Sequence, residues 1–509
     1  MKLNYKRTFL VGLAFFLIQL FWQAYDSIIP LIMTNKFGMS QTLSGIIMAL
    51  DNVLALFMLP FFGALSDRAK FKSGRRTPFI LIGTVVACIL FISLTFADNW
   101  QLSRIESAAD TDNQATLEML YNEDLGKTSE DIRSKFSEEE FSSIKVYNED
   151  GSLSENYSNY VIKARQAYAW KQTVSNPAPL ILFIVLLLGV LVSMSIFRSP
   201  AVSLMPDITP KPLRSKGNAV INLMGTLAGA IVLVLGIVFG TGAQENQLMS
   251  YTVFFSVIAG LMLIALIIFT ATVKEKKWAE ESEKISIEYG ITDENEEKAA
   301  KEQKRKLSKP ELRSLIFILL SVAFWYIGYN AVTSKYSVYA GEILGLDFNT
   351  TLLIAVAVAT VAFFPVAFIS SKIGRKKMIL VGVALLASSF LAACFMTPGS
   401  PLWLMNIFFS MAGIGWAAIN VNSFPMVVEL ATGSDVGRYT GLYYSASMAA
   451  QIAGPVLSGP LLEMTKLKAL FPFGTVFVAL SFITMLFVKH GDSKPAMKQA
   501  LEDAVNGDD

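Results

Sequence analysis

The chain has 509 residues, of which 53% are hydrophobic and 17% are charged. A soluble protein has to cover its surface with polar side chains, so this composition excludes an ordinary soluble fold and indicates a membrane protein. Lysine and arginine number 43 and the acids 41, for a net charge of +2, which gives no reason to expect a nucleic-acid partner.

Twelve apolar runs follow one another along the chain, and each is long enough to cross a bilayer as a helix. The runs are continuous rather than alternating in polarity, which favours helices over the strands of a membrane barrel. We therefore predict an all-α polytopic protein of the cell membrane, either an inner or a plasma membrane. The predicted spans are 9–33, 43–65, 78–97, 179–197, 217–240, 251–273, 314–338, 350–371, 378–396, 402–424, 440–461 and 470–489.

Basic residues in the short loops fix the orientation of these spans. They are concentrated after even-numbered spans, as in "DRAKFKSGRR" (67–76), whereas loops on the other side, such as "TPGSP" (397–401), lack them. The positive-inside rule makes the basic loops cytoplasmic. Both termini are then predicted to be cytoplasmic.

Two long polar segments interrupt the spans. Residues 98–178 carry fifteen acids and eight bases and form a predicted extracellular insertion, either a lid over an external mouth or a decoration; its folding stays open. Residues 274–313 carry eleven of each and form a predicted cytoplasmic linker, helical or flexible. The linker separates two six-helix bundles, 1–273 and 314–490, and residues 491–509 form a cytoplasmic tail.

The two bundles repeat a pattern. "GALSDRAKFKSGRR" after span 2 corresponds to "AFISSKIGRKK" after span 8, and "DITPKPLRSKG" after span 4 corresponds to "ELATGSDVGRYTG" after span 10. Parallel six-helix halves of this kind suit a transporter in which two bundles rock about a site at the bilayer midplane. We therefore predict two pseudo-symmetric bundles that transport by alternating access.

The loop after span 2 resembles the signature Gly-x-x-x-Asp-x-x-Gly-Arg-Arg of the major facilitator superfamily, lengthened by a few residues. In its longer form, "GALSDR…GRRTPF", it is similar to the loop of the sucrose transporters and of the wider glycoside-pentoside-hexuronide symporter group. The resemblance implies the major facilitator fold and cation-coupled sugar transport.

The same loop predicts a cytoplasmic gate. Arg75 or Arg76 can pair with the acids Asp207 or Glu429 at the cytoplasmic ends of spans 4 and 10, and so hold that side closed when the protein opens outward. The alternative is that these basic residues only fix topology. The complete predicted gate set is Gly63, Asp67, Gly74, Arg75, Arg76, Arg198, Asp207, Arg214, Glu429 and Arg438.

Ionisable residues inside spans are candidates for cation coupling. Asp26 in span 1 and Asp51 in span 2 lie at a similar depth, where they could share a proton or, with Asn52, bind sodium. Span 4 has no acid, unlike that of the sucrose and melibiose-type relatives, which leaves these two aspartates. Asp26 is favoured because Gln19 and Gln23 share its helical face.

Arg198 lies at the inner end of predicted span 4. It either replaces the arginine that sucrose transporters carry where Val202 stands, or lies at the membrane interface with its charge in the headgroups.

Sugar recognition requires polar groups for hydroxyls and aromatic rings for the apolar faces of sugar rings. Such residues recur together in spans 1, 2, 7, 10 and 11. The predicted substrate-binding residues are Gln19, Trp22, Gln23, Asn52, Trp325, Tyr329, Asn330, Trp416, Asn420, Tyr444 and Gln451.

The sequence contains no Gly-x4-Gly-Lys phosphate loop and only one histidine, His490, so we predict neither an enzyme nor a protein with a cofactor or metal. The predicted function is proton-coupled import of a disaccharide or small glycoside, such as sucrose or maltose, by a monomer. Sodium-coupled symport, and uniport or export of another polar solute, remain alternatives, as does a sugar sensor without transport activity.

Overall fold

The protein is described by a computed structural model over residues 3–210, 213–288, 307–430 and 436–491. Part of the predicted linker and residues 492–509 of the predicted tail lie outside these ranges. In chain order the helices are α1 (Tyr5–Leu31), α2 (Gln41–Arg68), α3 (Thr77–Arg104), α4 (Gln114–Asn122), α5 (Lys127–Arg133), α6 (Glu138–Ser142), α7 (Ile162–Ser175), α8 (Ala178–Ile208), α9 (Arg214–Phe239), α10 (Thr252–Thr272), α11 (Glu275–Glu288), α12 (Lys309–Thr333), α13 (Tyr336–Tyr339), α14 (Phe348–Ile373), α15 (Arg375–Ala393), α16 (Leu402–Glu429), α17 (Val436–Met464) and α18 (Leu470–Leu486).

Twelve long helices account for the twelve predicted spans. Within the described residues, nine are long and apolar enough to cross a membrane by themselves, and two shorter apolar helices occur in α14 and α18. The twelfth is α17. Most of these helices extend several residues beyond the apolar runs, because a helix continues into the headgroup region as long as its backbone bonds are satisfied.

Span 7 is not the single helix that the apolar run 314–338 predicts. α12 ends at Thr333 and the short α13 starts at Tyr336, with Lys335 fully buried between them. The Nζ atom of Lys335 donates to Ser44 Oγ of α2 at 2.8 Å. The break lets a buried ammonium group reach a polar partner, which a continuous apolar helix would not provide.

The two bundles meet at their external ends. There α2 packs on α17 so closely that a Cβ atom on Gly45 would lie 2.6 Å from the carbonyl oxygen of Pro455. Nearby, Asn349 of α14 donates to Thr241, just after α9, at 3.0 Å. All hydrogen bonds and ion pairs that join two described residues of opposite bundles lie on this side. This pattern is the one expected for the inward-facing state of the rocking transporter that the sequence predicts.

Residues 98–178, the predicted extracellular insertion, are folded. α3 continues past residue 98 to Arg104, and α4 to α7 then surround a small apolar core before α8 begins. The core includes Ile105, Leu120, Phe141 and Tyr157, each at most 1% exposed.

The first part of the predicted linker is a helix bound to the N-terminal bundle. Trp278 of α11 is buried, and Arg7 lies with its Cζ 5.3 Å from the centre of that indole ring. Arg7 also pairs with Glu281 at 2.5 Å. The linker therefore remains on the N-terminal bundle through α11.

Candidate functional site

A cavity of about 300 Å³ lies between the two bundles. Helices α1 and α9 line it on one side, and α12 to α16 line it on the other. Six predicted coupling or substrate residues reach this cavity. They are Gln19, Gln23, Asp26, Tyr329, Asn330 and Trp416.

The polar face of α1 results from residue spacing and from small neighbours. Gln19, Gln23 and Asp26 are separated by four and three residues, so they share one side of the helix. Opposite them, α9 presents glycines; a Cβ atom on Gly225 would lie 3.0 Å from Gln19 Cγ. Gln23 donates to Ser27 at 3.2 Å, while the Asp26 residue is exposed to the cavity.

Asp51 lies next to this cavity rather than in its lining. Its Oδ1 atom accepts hydrogen bonds from the backbone nitrogen of Asn52 at 2.6 Å and from Asn52 Nδ2 at 2.7 Å. Asp51 and Asp26 interact electrostatically with each other and with Arg198 of α8. The two candidate coupling acids therefore lie within electrostatic range of one cation.

The placement of Arg198 differs from the predicted gate. α8 continues to Ile208, ten residues beyond Arg198, which puts Arg198 about 15 Å from the cytoplasmic end of the helix. Its Cζ lies 5.3 Å from the ring centre of Trp22, a cation–π contact. Arg198 thus belongs to the acid cluster, and Trp22 packs against it instead of lining the cavity.

Several predicted substrate residues do not line the cavity. Trp325 is 1% exposed and stacks on Tyr326, with ring centres 3.8 Å apart. Asn420 donates to the backbone of its own helix, at Trp416, and Gln451 does the same in α17. Asn52 is bound to Asp51, and Tyr444 packs in an aromatic cluster with Phe424 and Tyr443.

The cavity also contains residues that the sequence analysis missed. These are the hydroxyl residues Ser27, Thr226, Thr333, Ser337 and Thr360 and the aromatic residues Phe363, Phe390 and Phe409. Single hydroxyls commonly donate to their own helix in apolar segments, as Thr226 and Thr360 do, so they carry no distinct sequence signal. Their contribution depends on which helix face the bundle turns inward.

At the cytoplasmic end, the signature loop forms a compact charged cluster. The Arg76 side chain is 4% exposed and binds Asp67, while its Nε atom donates to Asp207 at 2.9 Å. A further donor of Arg76 reaches Ser66 Oγ. Arg75, which is more exposed, pairs with Asp207 at 2.8 Å. The predicted pairing of this loop with Asp207 is present.

The prediction that this loop pairs with Glu429 is wrong in this state. Glu429 pairs with Arg375 inside the C-terminal bundle rather than with Arg75 or Arg76. The physical reason is that the contacts between described residues of the two bundles lie at the external ends, so Glu429 pairs with a cation of its own bundle. The Arg438 side chain lies outside the described residues.

Two other members of the gate set have structural contacts. Arg214 donates to the carbonyl groups of Thr209 and Pro206 at 3.1 and 2.8 Å. It thus supplies hydrogen bonds to backbone carbonyl groups that have no partner within the last turn of α8. Gly63 allows α2 to approach α8, because a Cβ atom there would lie 2.9 Å from Ser199 Oγ.

Glu275, at the start of α11, caps the N-terminus of α3. Its carboxylate accepts from the backbone nitrogens of Arg76 and Thr77, both at 2.8 Å, and from Thr77 Oγ1 at 2.7 Å. Gly74 makes this possible: its φ is +122°, and a Cβ atom would lie 2.3 Å from Glu275 Oε2. The linker helix is thereby joined directly to the signature loop.

Comparison with known proteins agrees with this architecture. The sequence profile of the MFS_1 like family matches residues 13–473. No sequence among curated proteins matches significantly. Among solved structures, the inward-open xylose transporter XylE from E. coli is similar at a TM-score of 0.58 and 14% identity, covering 98% of this chain and 100% of that one.

Two further solved structures show the same fold. The peptide transporter POT in complex with sulfate has a TM-score of 0.59 and 12% identity, covering 95% of this chain and 93% of its own. The nucleoside transporter NupG has a TM-score of 0.51 and 14% identity, covering 96% and 100%. At these identities the similarity concerns the fold alone.

Proposed function

Because the chain belongs to the MFS_1 like family, and is thus a multi-pass membrane transporter of the major facilitator superfamily, we propose that it imports a sugar together with a proton. The carrying observation is the position of Asp26, a carboxyl group that opens onto the cavity between the bundles, beside amides and aromatic rings. The proposed substrate is a disaccharide or other small glycoside.

The chemistry of the cavity supports a sugar. Gln19, Gln23 and Asn330 present side-chain amides to the cavity, and amides can bind sugar hydroxyl groups. One donor of Gln23 is taken by Ser27 and one of Asn330 by the backbone of Tyr326, which leaves their acceptor oxygens and second amide hydrogens for a ligand. Tyr329 and Trp416 add aromatic rings for the apolar faces of a pyranose. The volume of about 300 Å³ is at the lower end of the range for small-ligand sites, and it suits a ligand enclosed by both bundles.

The charges of the acid cluster support proton coupling. The cluster contains two acids, Asp26 and Asp51, and one base, Arg198. When both acids are ionised, its net charge is −1. A net charge in a low-dielectric interior opposes closure around the substrate. One proton makes the cluster neutral. Asp51 is held by Asn52 and Asp26 is exposed to the cavity, so Asp26 is the proposed proton carrier.

A proteoliposome assay tests this assignment. We expect Asp26→Asn to abolish uphill uptake driven by an inward proton gradient while retaining exchange of labelled sugar across the membrane, because the amide mimics the protonated acid. Asp110→Asn, in the exposed part of the insertion, is the matched control and should transport normally. Uphill uptake by Asp26→Asn, or its selective loss in Asp51→Asn, contradicts the assignment.

The substrate and the coupling ion require a separate test. A thermal-shift screen of mono- and disaccharides on the purified protein should find at least one sugar that stabilises it. Dipeptides and nucleosides are the comparison ligands, and stabilisation by these alone contradicts a sugar substrate. Uptake measured with an imposed proton gradient or an imposed sodium gradient identifies the coupling ion. If the protein is instead a sugar sensor, it binds the sugar but shows no uptake under either gradient.

A further inference from the structure

The insertion contacts the opposite bundle at several points, and two of its side chains converge there on one carboxylate. Lys163 and Gln166 of α7 both reach Glu342, which follows α13 in the C-terminal bundle. The Lys163 Nζ atom lies 3.2 Å from Glu342 Oε2, and Gln166 Nε2 donates to Oε1 at 2.5 Å. The hydroxyl group of Ser158 donates to the backbone oxygen of the same residue.

Glu342 depends on these contacts. Its side chain is only 2% exposed, and a carboxylate removed from water requires charged or hydrogen-bonding partners. Each carboxylate oxygen receives one partner from the insertion, and Lys335 also interacts electrostatically with Glu342 from its own bundle. If the bundles separated on the external side, Glu342 would lose Lys163 and Gln166 together.

The insertion also packs against two external turns of the C-terminal bundle. A Cβ atom on Gly345 would lie 2.7 Å from Leu153 Cβ, and one on Gly399 would lie 3.1 Å from Ser152 Cβ. The contact therefore extends from the Glu342 segment to the turn between α15 and α16. It is a surface rather than a single ion pair.

On its other side the insertion is fixed to the N-terminal bundle. Gln101 of α3 donates to the backbone of Lys36 at 2.9 Å and to Thr173 of α7 at 3.0 Å. Gln166 also donates to Asn35, at the end of the first span, at 3.1 Å. Hydrogen bonds therefore join α7 to α3 and to the end of the first span.

We propose that the insertion is a latch that holds the external side of the transporter closed. In this latch, Lys163 and Gln166 bind Glu342 of the opposite bundle. The latch stabilises the inward-facing state and has to open once in every transport cycle. It acts on the alternation of the bundles, so it is independent of which solute and which cation the protein carries.

Cysteine labelling measures the latch directly. In a chain with Cys88→Ala and Cys394→Ala, the reporter Ser337→Cys replaces a residue that is 3% exposed and lies between the cavity and the external contact. A membrane-impermeant maleimide, added outside to whole cells, reaches this thiol only when the external side opens. The labelling rate therefore reports the population of the open state, without any substrate or ion gradient.

We expect Lys163→Met and Gln166→Leu each to raise the labelling rate about tenfold, which corresponds to about 1.4 kcal/mol in the opening equilibrium. The matched control is Lys171→Met. Lys171 pairs with Glu123 at 2.7 Å entirely within the insertion, so its loss should leave the rate unchanged. Rates that stay at the control value in both latch variants would overturn the proposal.

A charge exchange separates direct pairing from a general disturbance. Lys163→Glu alone should accelerate labelling, and the addition of Glu342→Lys should restore part of the slow rate. The ion pair forms again with its signs reversed, whereas Gln166 and Lys335 no longer face a carboxylate. If the double variant labels as fast as the single one, the two residues do not hold each other and the latch is refuted. Failure of proton or sugar transport leaves these rates untouched, so the two proposals fail independently.

Discussion

The buried ion pair between Lys36 and Asp98 offers a direct test of what stabilises the external end of the N-terminal bundle. The Nζ and Oδ2 atoms are 2.7 Å apart, and the two side chains are 0% and 1% exposed. Lys36 also donates to the backbone oxygen of Met249 at 2.7 Å, and lies 4.5 Å from the ring centre of Tyr251. Every partner of the ammonium group thus comes from another part of the same bundle.

Removal of one partner leaves the other charge buried and unpaired. Such a change typically costs about 3–5 kcal/mol, whereas an apolar pair of similar volume is often nearly neutral. We therefore expect Lys36→Met to lower the free energy of unfolding by about 4 kcal/mol. The double variant Lys36→Met/Asp98→Leu should recover most of that loss, since no charge remains in the site.

The apparent Tm of the detergent-solubilised protein, measured at one scan rate, checks both expectations. Lys171→Met is again the control, because it removes an exposed pair that contributes at most about 1 kcal/mol. A Tm for Lys36→Met within one degree of this control would refute the reasoning, and so would a double variant that is less stable than the single one.

Two predictions concern the cytoplasmic loop. Gly74→Ala should lower the Tm more than Gly126→Ala does. Both positions have positive φ, but only at Gly74 does the added Cβ displace the carboxylate of Glu275. Equal shifts of the Tm would contradict the capping role of Glu275. Arg76→Lys should reduce both the Tm and the uptake rate, because one ammonium group cannot replace the guanidinium contacts to two acids. Arg75→Lys, at a half-exposed position, should change both little. A larger effect of Arg75→Lys than of Arg76→Lys would exclude Arg76 as the centre of the cluster.

The number and approximate positions of the spans follow from the sequence, because the bilayer imposes a length and an apolar composition that can be read directly. The break in span 7 at Lys335 does not follow from it. Charges at neighbouring helix ends indicate two partners for the signature loop, Asp207 or Glu429, and the structure shows the pairing with Asp207 alone. The α1 face with Gln19, Gln23 and Asp26 was predictable from helical spacing alone, and the structure places it in the cavity.

The rest depends on how whole helices pack. Trp325 and Tyr329 lie one turn apart on α12, yet only Tyr329 reaches the cavity, while Trp325 is buried against neighbouring helices. Arg198 was assigned to the gate because the apolar run ends near it, but α8 continues well beyond that run. The partners of Glu342 come from α7, about 180 positions earlier in the chain, and no local pattern in the sequence connects them.

The insertion is also a lever arm. It continues from α3 without a break and leads into α8 after only two residues, so under the proposed rocking motion it moves with the N-terminal bundle. A point far from a rotation axis moves further than a point near it, and a spin label or fluorophore on α5 would therefore magnify small rotations. Paired with a second label on an external turn of the other bundle, it would make single transport cycles visible as changes in distance, with both labels attached from outside the cell.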